Sequence, residues 1–171
     1  MIHRALLLAV YTAAVLPPAW ARDRAPVYPP AMASVFTMII NGELPGRFVW
    51  KDERCVAFLS INPLAPGHTL VVPRLEVEHW IDLDPELLAH FVEVSRVIGQ
   101  AQESGFSPER VGLMIAGLEV PHVHIHVVPM RSSQDLDFGN ADLNPDATDL
   151  DAAAGTIRAE LTAMAREEVA G

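Results

Sequence analysis

The chain has 171 residues, half of them apolar, with a formal net charge of -10 and a single cysteine, Cys55. This length fits one domain plus a tail. A net-acidic surface without a block of lysine and arginine repels the phosphate backbone, which argues against a long nucleic acid as partner. One cysteine excludes an intrachain disulfide and a cysteine-rich zinc site.

The first 31 residues can be interpreted in two ways. His3 and Arg4 precede an apolar run at 5–16, and Ala19-Trp20-Ala21 resembles a signal-peptide cleavage site. This run has 12 residues, whereas a bilayer span needs roughly 20. Alternatively, residues 1–31 are an upstream extension from a misplaced start codon, and the domain opens at Met32. We expect the extension.

The apolar pattern predicts an α+β domain. A short helix or turn is expected at 35–41, before the turn signal Asn41-Gly42. Asp84-Pro85 starts a long helix that Gly105 ends, since aspartate caps a helix and proline suits its first turn. A last helix is predicted at about 149–169. Five strands are expected, at 47–50, 55–61, 68–74, 111–116 and 122–129.

Three histidines alternate with branched aliphatic residues at the start of the fifth predicted strand: His122, His124 and His126. Alternation places them on one face of a strand. The outer two would stand roughly 13 Å apart at their backbones, too far for all three to close on one zinc ion. A phosphate suits the row better, because one neutral imidazole can attack while its neighbours donate hydrogen bonds. An accidental or metal-scavenging cluster is the alternative.

The segment Pro-His-Val-His-Ile-His-Val-Val-Pro at 121–129 resembles the signature of the histidine triad (HIT) family. Two further segments, at 34–45 and 56–74, resemble the family's opening and second blocks, so that the likeness covers about 33–130. It implies a HIT-like fold, in which a five-stranded, largely antiparallel sheet carries one long central helix and a C-terminal helix. The HIT domain would span 32–131, followed by an acidic loop and helix at 132–171.

The resemblance also assigns site residues. His124 would be the nucleophile that takes a nucleotidyl group, and His126 the donor to the phosphoryl oxygens or leaving group. His122 and His68 would brace the site, or be ordinary buried histidines. The resemblance also implies the walls of a nucleobase pocket, although these apolar residues could equally be plain core: Val35, Phe36, Ile39, Phe58, Leu59 and Ile61. Three further nucleotide-binding positions are implied: Ser60, Glu119 and Val120.

Several positions depart from the family pattern. Ser34 and Thr37 stand where members often have two cysteines that bind zinc with histidines like His68 and His122, so we expect no metal. Ser60 replaces a frequent aspartate at the ribose, and Leu118 replaces a glutamine that contacts phosphate. Glu119 places a carboxylate where it would repel phosphate unless it is protonated or turned away.

The resemblance implies a nucleotide hydrolase or transferase that acts at the α-phosphorus of a phosphoramidate or phosphoanhydride and needs no cofactor. The lost phosphate contacts leave open a nucleotide-binding regulatory protein with little turnover. An extracytoplasmic metal-binding protein is a third reading, which requires a true signal peptide. The expected partner is a small purine nucleotide, and no association with a membrane is expected. We expect the protein in the cytoplasm; secretion is the alternative if residues 1–21 are a signal peptide.

A homodimer is also expected. The apolar segment 111–116 lacks alternation, as if it were buried on both faces or against a neighbour, and Val92 and Leu88 widen the apolar surface of the long helix. The interface would use that helix and an edge strand. In the alternative, the chain is a monomer whose C-terminal helix covers the same surface.

Overall fold

The structure, a computed structural model, describes residues 33–170. The signal-like segment, and the choice between a leader and an extension, lie outside the described residues. The chain forms one antiparallel sheet in the order β1-β2-β3-β5-β4, which confirms the predicted five-stranded α+β fold. Its strands are β1 (Phe48–Lys51), β2 (Cys55–Leu59), β3 (Thr69–Pro73), β4 (Arg110–Met114) and β5 (Ile125–Met130).

Within residues 33–170, three α-helices accompany the sheet: α1 (Val35–Ile40), α2 (Pro85–Phe106) and α3 (Ala147–Ala163). Asp84 caps α2 as predicted, because its carboxylate accepts from two backbone N–H groups of the first turn. The helix passes through Gly105 and ends at Ser107, which takes the left-handed conformation with φ of 46°. No helix within 33–170 is long and apolar enough to cross a membrane.

α3 is shorter than the predicted 149–169. Ala165 has a positive φ of 54°, which turns the chain out of the helix. Val169 then forms an isolated antiparallel bridge with Trp50, so that the tail extends the β1 side of the sheet. The C-terminal helix therefore packs against α2 and β1, away from β4.

The two faces of the sheet are covered differently. α2 and α3 cover one face, and the large side chains at their centre, such as Phe91, Ile98 and Ile157, are fully buried. On the other face, α1 is the one helix that the described part of the chain provides, and it lies over a small apolar cluster that includes Phe36 and Phe58. Both faces of β2 and β3 are consequently buried, which explains why these strands read as continuous apolar runs.

β5 begins at Ile125, three residues later than predicted. His122 and His124 lie in the stretch that leads into the strand, where Val123 donates its N–H to the carbonyl of Val77 at 2.7 Å. Ile125 and Val127 point into the core under α2, so the alternation predicted from the sequence is present around His126.

Candidate active site

A cavity of about 660 Å³ opens on the α1 face of the sheet. His124, His126 and every residue that the sequence assigned to nucleotide binding line it: Val35, Phe36, Ile39, Phe58, Leu59, Ser60, Ile61, His68, Glu119 and Val120. The sequence reasoning missed further lining residues, among them Arg47, Asn62, Phe138, Leu143 and Asp151.

His122 does not line the cavity. Its ring is fully buried and lies behind Phe36, with the two ring centroids 6.0 Å apart. Its Nε2 donates to the carbonyl oxygen of Pro73 at 2.8 Å, which leaves Nδ1 to accept from the Ser34 hydroxyl at 2.8 Å. The expectation of three histidines on one open face is therefore wrong: two line the cavity, and the third supports them from behind.

His124 has its tautomer fixed by the backbone. Its Nδ1 lies 2.9 Å from the carbonyl oxygen of His122, and because a carbonyl can only accept, Nδ1 must carry the proton. In the neutral ring the lone pair is then on Nε2. Burial lowers the pKa of His124, although the bond to His122 and the nearby Glu119 act in the opposite direction. The ring is therefore neutral near pH 7.

His68 fixes the tautomer of His126 in the same way. The backbone N–H of Leu64 donates to His68 Nδ1 at 3.1 Å, so the proton of His68 is on Nε2. That Nε2 donates to His126 Nδ1 at 3.0 Å, which leaves the proton of His126 on its Nε2. Burial, followed by the neighbouring histidine rings, lowers the pKa of His68 to about 4 and that of His126 to about 3. Both rings are neutral.

Ser34 and Thr37 form a polar cluster with Glu76 and His122. Ser34 caps α1 and bonds His122, Thr37 donates its hydroxyl to the Glu76 carboxylate, and the N–H of Ser34 donates to the same carboxylate at 3.2 Å. Burial raises the pKa of Glu76, but the hydrogen bonds from Thr37 and Ser34 outweigh it and hold that pKa below its usual value. The predicted place of His68 beside Ser34 and Thr37 is wrong: Glu76 occupies it.

This cluster does not fit a structural zinc ion. Such sites use four cysteine or histidine donors. Here two hydroxyls, one carboxylate and one imidazole meet, and both nitrogens of that imidazole are already hydrogen-bonded. Among residues 33–170, no three histidine, cysteine, aspartate or glutamate side chains are grouped so that they could hold a metal.

Aspartates of the acidic segment build its turns. Asp135, Asp137, Asp142 and Asp146 each accept at least one backbone N–H from a nearby residue. The resulting turns place Phe138 edge-on to His126, with centroids 5.0 Å apart. The available signal in the sequence was that Phe138 is the sole aromatic residue in 131–171.

The chain is similar in sequence to known proteins. Residues 41–133 match the model of the HIT domain. An uncharacterized HIT-like protein of Methanocaldococcus jannaschii is 38% identical over 99 residues, which are 56% of this chain and 77% of that protein. An adenylylsulfatase of Arabidopsis thaliana is 27% identical over 144 residues, 79% of this chain and 73% of the relative.

A solved structure gives the same result. The zinc-bound histidine triad family protein of Mycobacterium smegmatis superposes with a TM-score of 0.68 at 29% identity, over 78% of this chain and 96% of that one. The sheet order, the paired histidines of the cavity and the matched sequence model together show that the chain belongs to the HIT family.

Proposed function

We propose that this HIT protein is a nucleotide hydrolase or transferase that acts at the α-phosphorus of a nucleoside phosphoramidate or phosphoanhydride, through a nucleotidyl intermediate on His124. The observation that carries the proposal is the fixed tautomer of His124. Its Nδ1–H is bonded to the His122 carbonyl, so the Nε2 lone pair is available to a ligand in the cavity. A neutral, oriented imidazole is what attack on phosphorus requires.

In the first step, His124 Nε2 forms a bond to the α-phosphorus, and the bond from phosphorus to the leaving group breaks. The leaving group departs with the bonding electron pair; an amine whose nitrogen is already protonated leaves as the neutral amine. The ring of His124, now bonded to phosphorus at Nε2 and to hydrogen at Nδ1, is cationic. In the second step, water adds to phosphorus and gives up a proton, the bond to Nε2 breaks, and the nucleoside monophosphate is released.

Two groups would stabilise the cationic intermediate. The His122 carbonyl accepts from Nδ1–H and strengthens this bond as positive charge develops. The Glu119 carboxylate favours the charged form of His124, as its effect on that pKa indicates. The position of Glu119 first suggested only repulsion of phosphate. In this mechanism its carboxylate would also stabilise the cationic ring of His124.

His126 is a hydrogen-bond donor in this mechanism. Its pKa of about 3 keeps it neutral, and its Nδ1 accepts from His68, so Nε2–H is the group it offers to a phosphoryl oxygen or to the leaving group. One preorganised donor to developing charge can be worth roughly 10²–10³ in rate. His68 acts through His126, as a positioning residue.

The α1 end of the cavity suits a purine base. Phe36 and Phe58 meet edge to face at 5.7 Å, and Val35 and Ile39 extend this apolar wall. Apolar and aromatic walls of this kind bury flat rings well. Ser60 is a weaker ribose contact than an aspartate, because its hydroxyl already donates to the carbonyl of Asn62 at 3.1 Å.

Trapping the intermediate tests the proposal. Wild-type protein is mixed with adenosine 5′-phosphoramidate and quenched, and peptides are analysed for an adenylyl group on His124. We expect the adduct and release of adenosine monophosphate, both absent in His124→Ala and retained in His79→Ala, an exposed histidine off the cavity. Binding without adduct or product would instead establish the nucleotide-binding protein with little turnover.

A homodimer through β4 is part of the proposal. β4 is an edge strand, and Leu113 on it is exposed, as is Val92 on α2. Unpaired edges are normally covered or paired, and α3 packs elsewhere. Light scattering at tens of micromolar should give a dimer mass for wild type and a monomer mass for Leu113→Lys. A monomeric wild type would exclude the stable dimer.

A further inference from the structure

The two histidines of the cavity each face a different aromatic wall. Phe36 lies edge-on to His124 with centroids 4.8 Å apart, and Phe138 lies edge-on to His126 at 5.0 Å. The rings of His124 and His126 are themselves 4.7 Å apart. If His124 bonds the α-phosphorus, the nucleoside occupies the Phe36 side, and the Phe138 side faces the group that leaves.

Phe138 is held in its place by its segment. Asp137 accepts from the N–H of Gly139 at 2.9 Å, and the N–H of Asp142 donates to the carbonyl of Pro63 at 3.0 Å. Yet Phe138 is 44% exposed, and Leu143 beside it on the cavity lining is more so. A fixed apolar surface that borders a polar reaction centre is typical of a ligand contact.

The charge at the mouth of the cavity disfavours a polyanionic leaving group. Among the described residues that line the cavity, Arg47 is the one basic side chain, and its Nε is paired with Asp151 at 2.6 Å. Glu119 adds a negative charge. Recognition of phosphate groups normally uses arginine or lysine. A chain of further phosphates would have to compete with Asp151 for this single arginine, whereas an uncharged or protonated amine meets no repulsion.

We infer that Phe138 is a specificity-determining residue that contacts the leaving group and selects an apolar or aromatic amine over a polyphosphate. This inference rests on the proposed function, since it needs the nucleoside at the Phe36 end. The reaction is the one given above: the P–N bond breaks, its electron pair stays with the protonated nitrogen, and a neutral amine departs past Phe138.

Equilibrium binding tests the contact without turnover. In the His124→Ala background, affinities are measured for adenosine 5′-phosphoramidate and for its N-(2-phenylethyl) derivative, with and without Phe138→Ala. An aromatic contact of ordinary strength predicts an affinity loss of about 3–10-fold for the phenylethyl ligand alone. Trp80→Ala is the matched control, because Trp80 is 43% exposed and lies off the cavity.

Three outcomes overturn the inference. An equal loss for both ligands would show that Phe138 only supports His126, and an unchanged phenylethyl affinity would show no contact. Tighter binding of adenosine 5′-tetraphosphate than of the phenylethyl ligand would overturn the selection against polyphosphate. Turnover by the wild type is recorded separately: if it is absent while Phe138→Ala still discriminates between the ligands, the proposed function fails and the contact remains.

Discussion

Both faces of the sheet carry apolar clusters, but within residues 33–170 only one of these clusters is fully covered by helices. On the α2 and α3 face, two long helices cover the strands, and the side chains between them are buried. On the other face, the six-residue α1 covers only part of a smaller apolar cluster, and the uncovered part is the cavity. The candidate site lies where the helix layer is incomplete, so stability and activity should be separable by face.

The largest expected effect on activity without loss of stability is at His124, just before β5. His124→Ala should lower turnover by about 10⁴-fold or more, as is typical when a covalent nucleophile is removed. The free energy of unfolding should change by no more than about 1 kcal/mol, because the core-facing Ile125 is untouched. Steady-state kinetics and urea denaturation measure the two quantities. Retention of most activity would reassign the nucleophile.

Two phenylalanines compare the faces directly. Phe91→Ala on the closed face should cost about 3–5 kcal/mol of unfolding free energy, because Phe91 is fully buried. It should leave the activity of folded protein unchanged, because Phe91 does not line the cavity. Phe58→Ala, equally apolar but on the cavity lining, should cost less and weaken nucleotide binding. Equal costs, or equal losses of affinity, would contradict the division between the faces.

Acid should destabilise the protein through the cavity face. The pKa of His68 is about 4 when folded against about 6.5 when unfolded, so the unfolded state binds more protons between these values. Stability is complete above about pH 6.5 and is lost as pH falls toward 4. From pH 7 to pH 5, wild type should lose about 1–2 kcal/mol more than His68→Gln. Parallel pH profiles would show that His68 is not held neutral.

The smallest effect is expected at the polar cluster beneath α1. Ser34→Ala removes the cap of α1 and the donor to His122, which should cost about 1–2 kcal/mol. Ser34→Thr keeps a hydroxyl and should restore most of this loss. Elemental analysis of the same samples should find less than one zinc per chain. One zinc ion per chain that remains bound in His122→Ala would show that the metal lies elsewhere.

Local signals in the sequence located most of the fold. The Asp84-Pro85 cap, the continuous apolar strands and the alternation around His126 each correspond to a described element. The end of α2 was predicted less accurately. Gly105 was expected to end this helix, but Ser107 is the residue that takes the left-handed conformation there. A positive φ at a serine or an alanine leaves no compositional mark.

The candidate site was predicted as a set of residues but not as an arrangement. Alternation placed His122 with its neighbours, yet β5 starts after it, and the ring turns toward Ser34 and Pro73 instead. The contribution of Glu76 and Phe138 depends on contacts between residues 39 and 12 positions apart, respectively, which no local pattern encodes. The acidic segment was interpreted by its charge, although its aspartates mainly form turns.

The rings of the site are oriented largely by main-chain atoms. The carbonyl of His122 orients His124, the carbonyl of Pro73 orients His122, and the N–H of Leu64 orients His68. A point substitution changes a side chain and leaves these atoms in place. His124, the proposed nucleophile, is thus insulated from mutation of its neighbours, and the walls of the cavity could diverge to accept new substrates while the proposed chemistry is inherited.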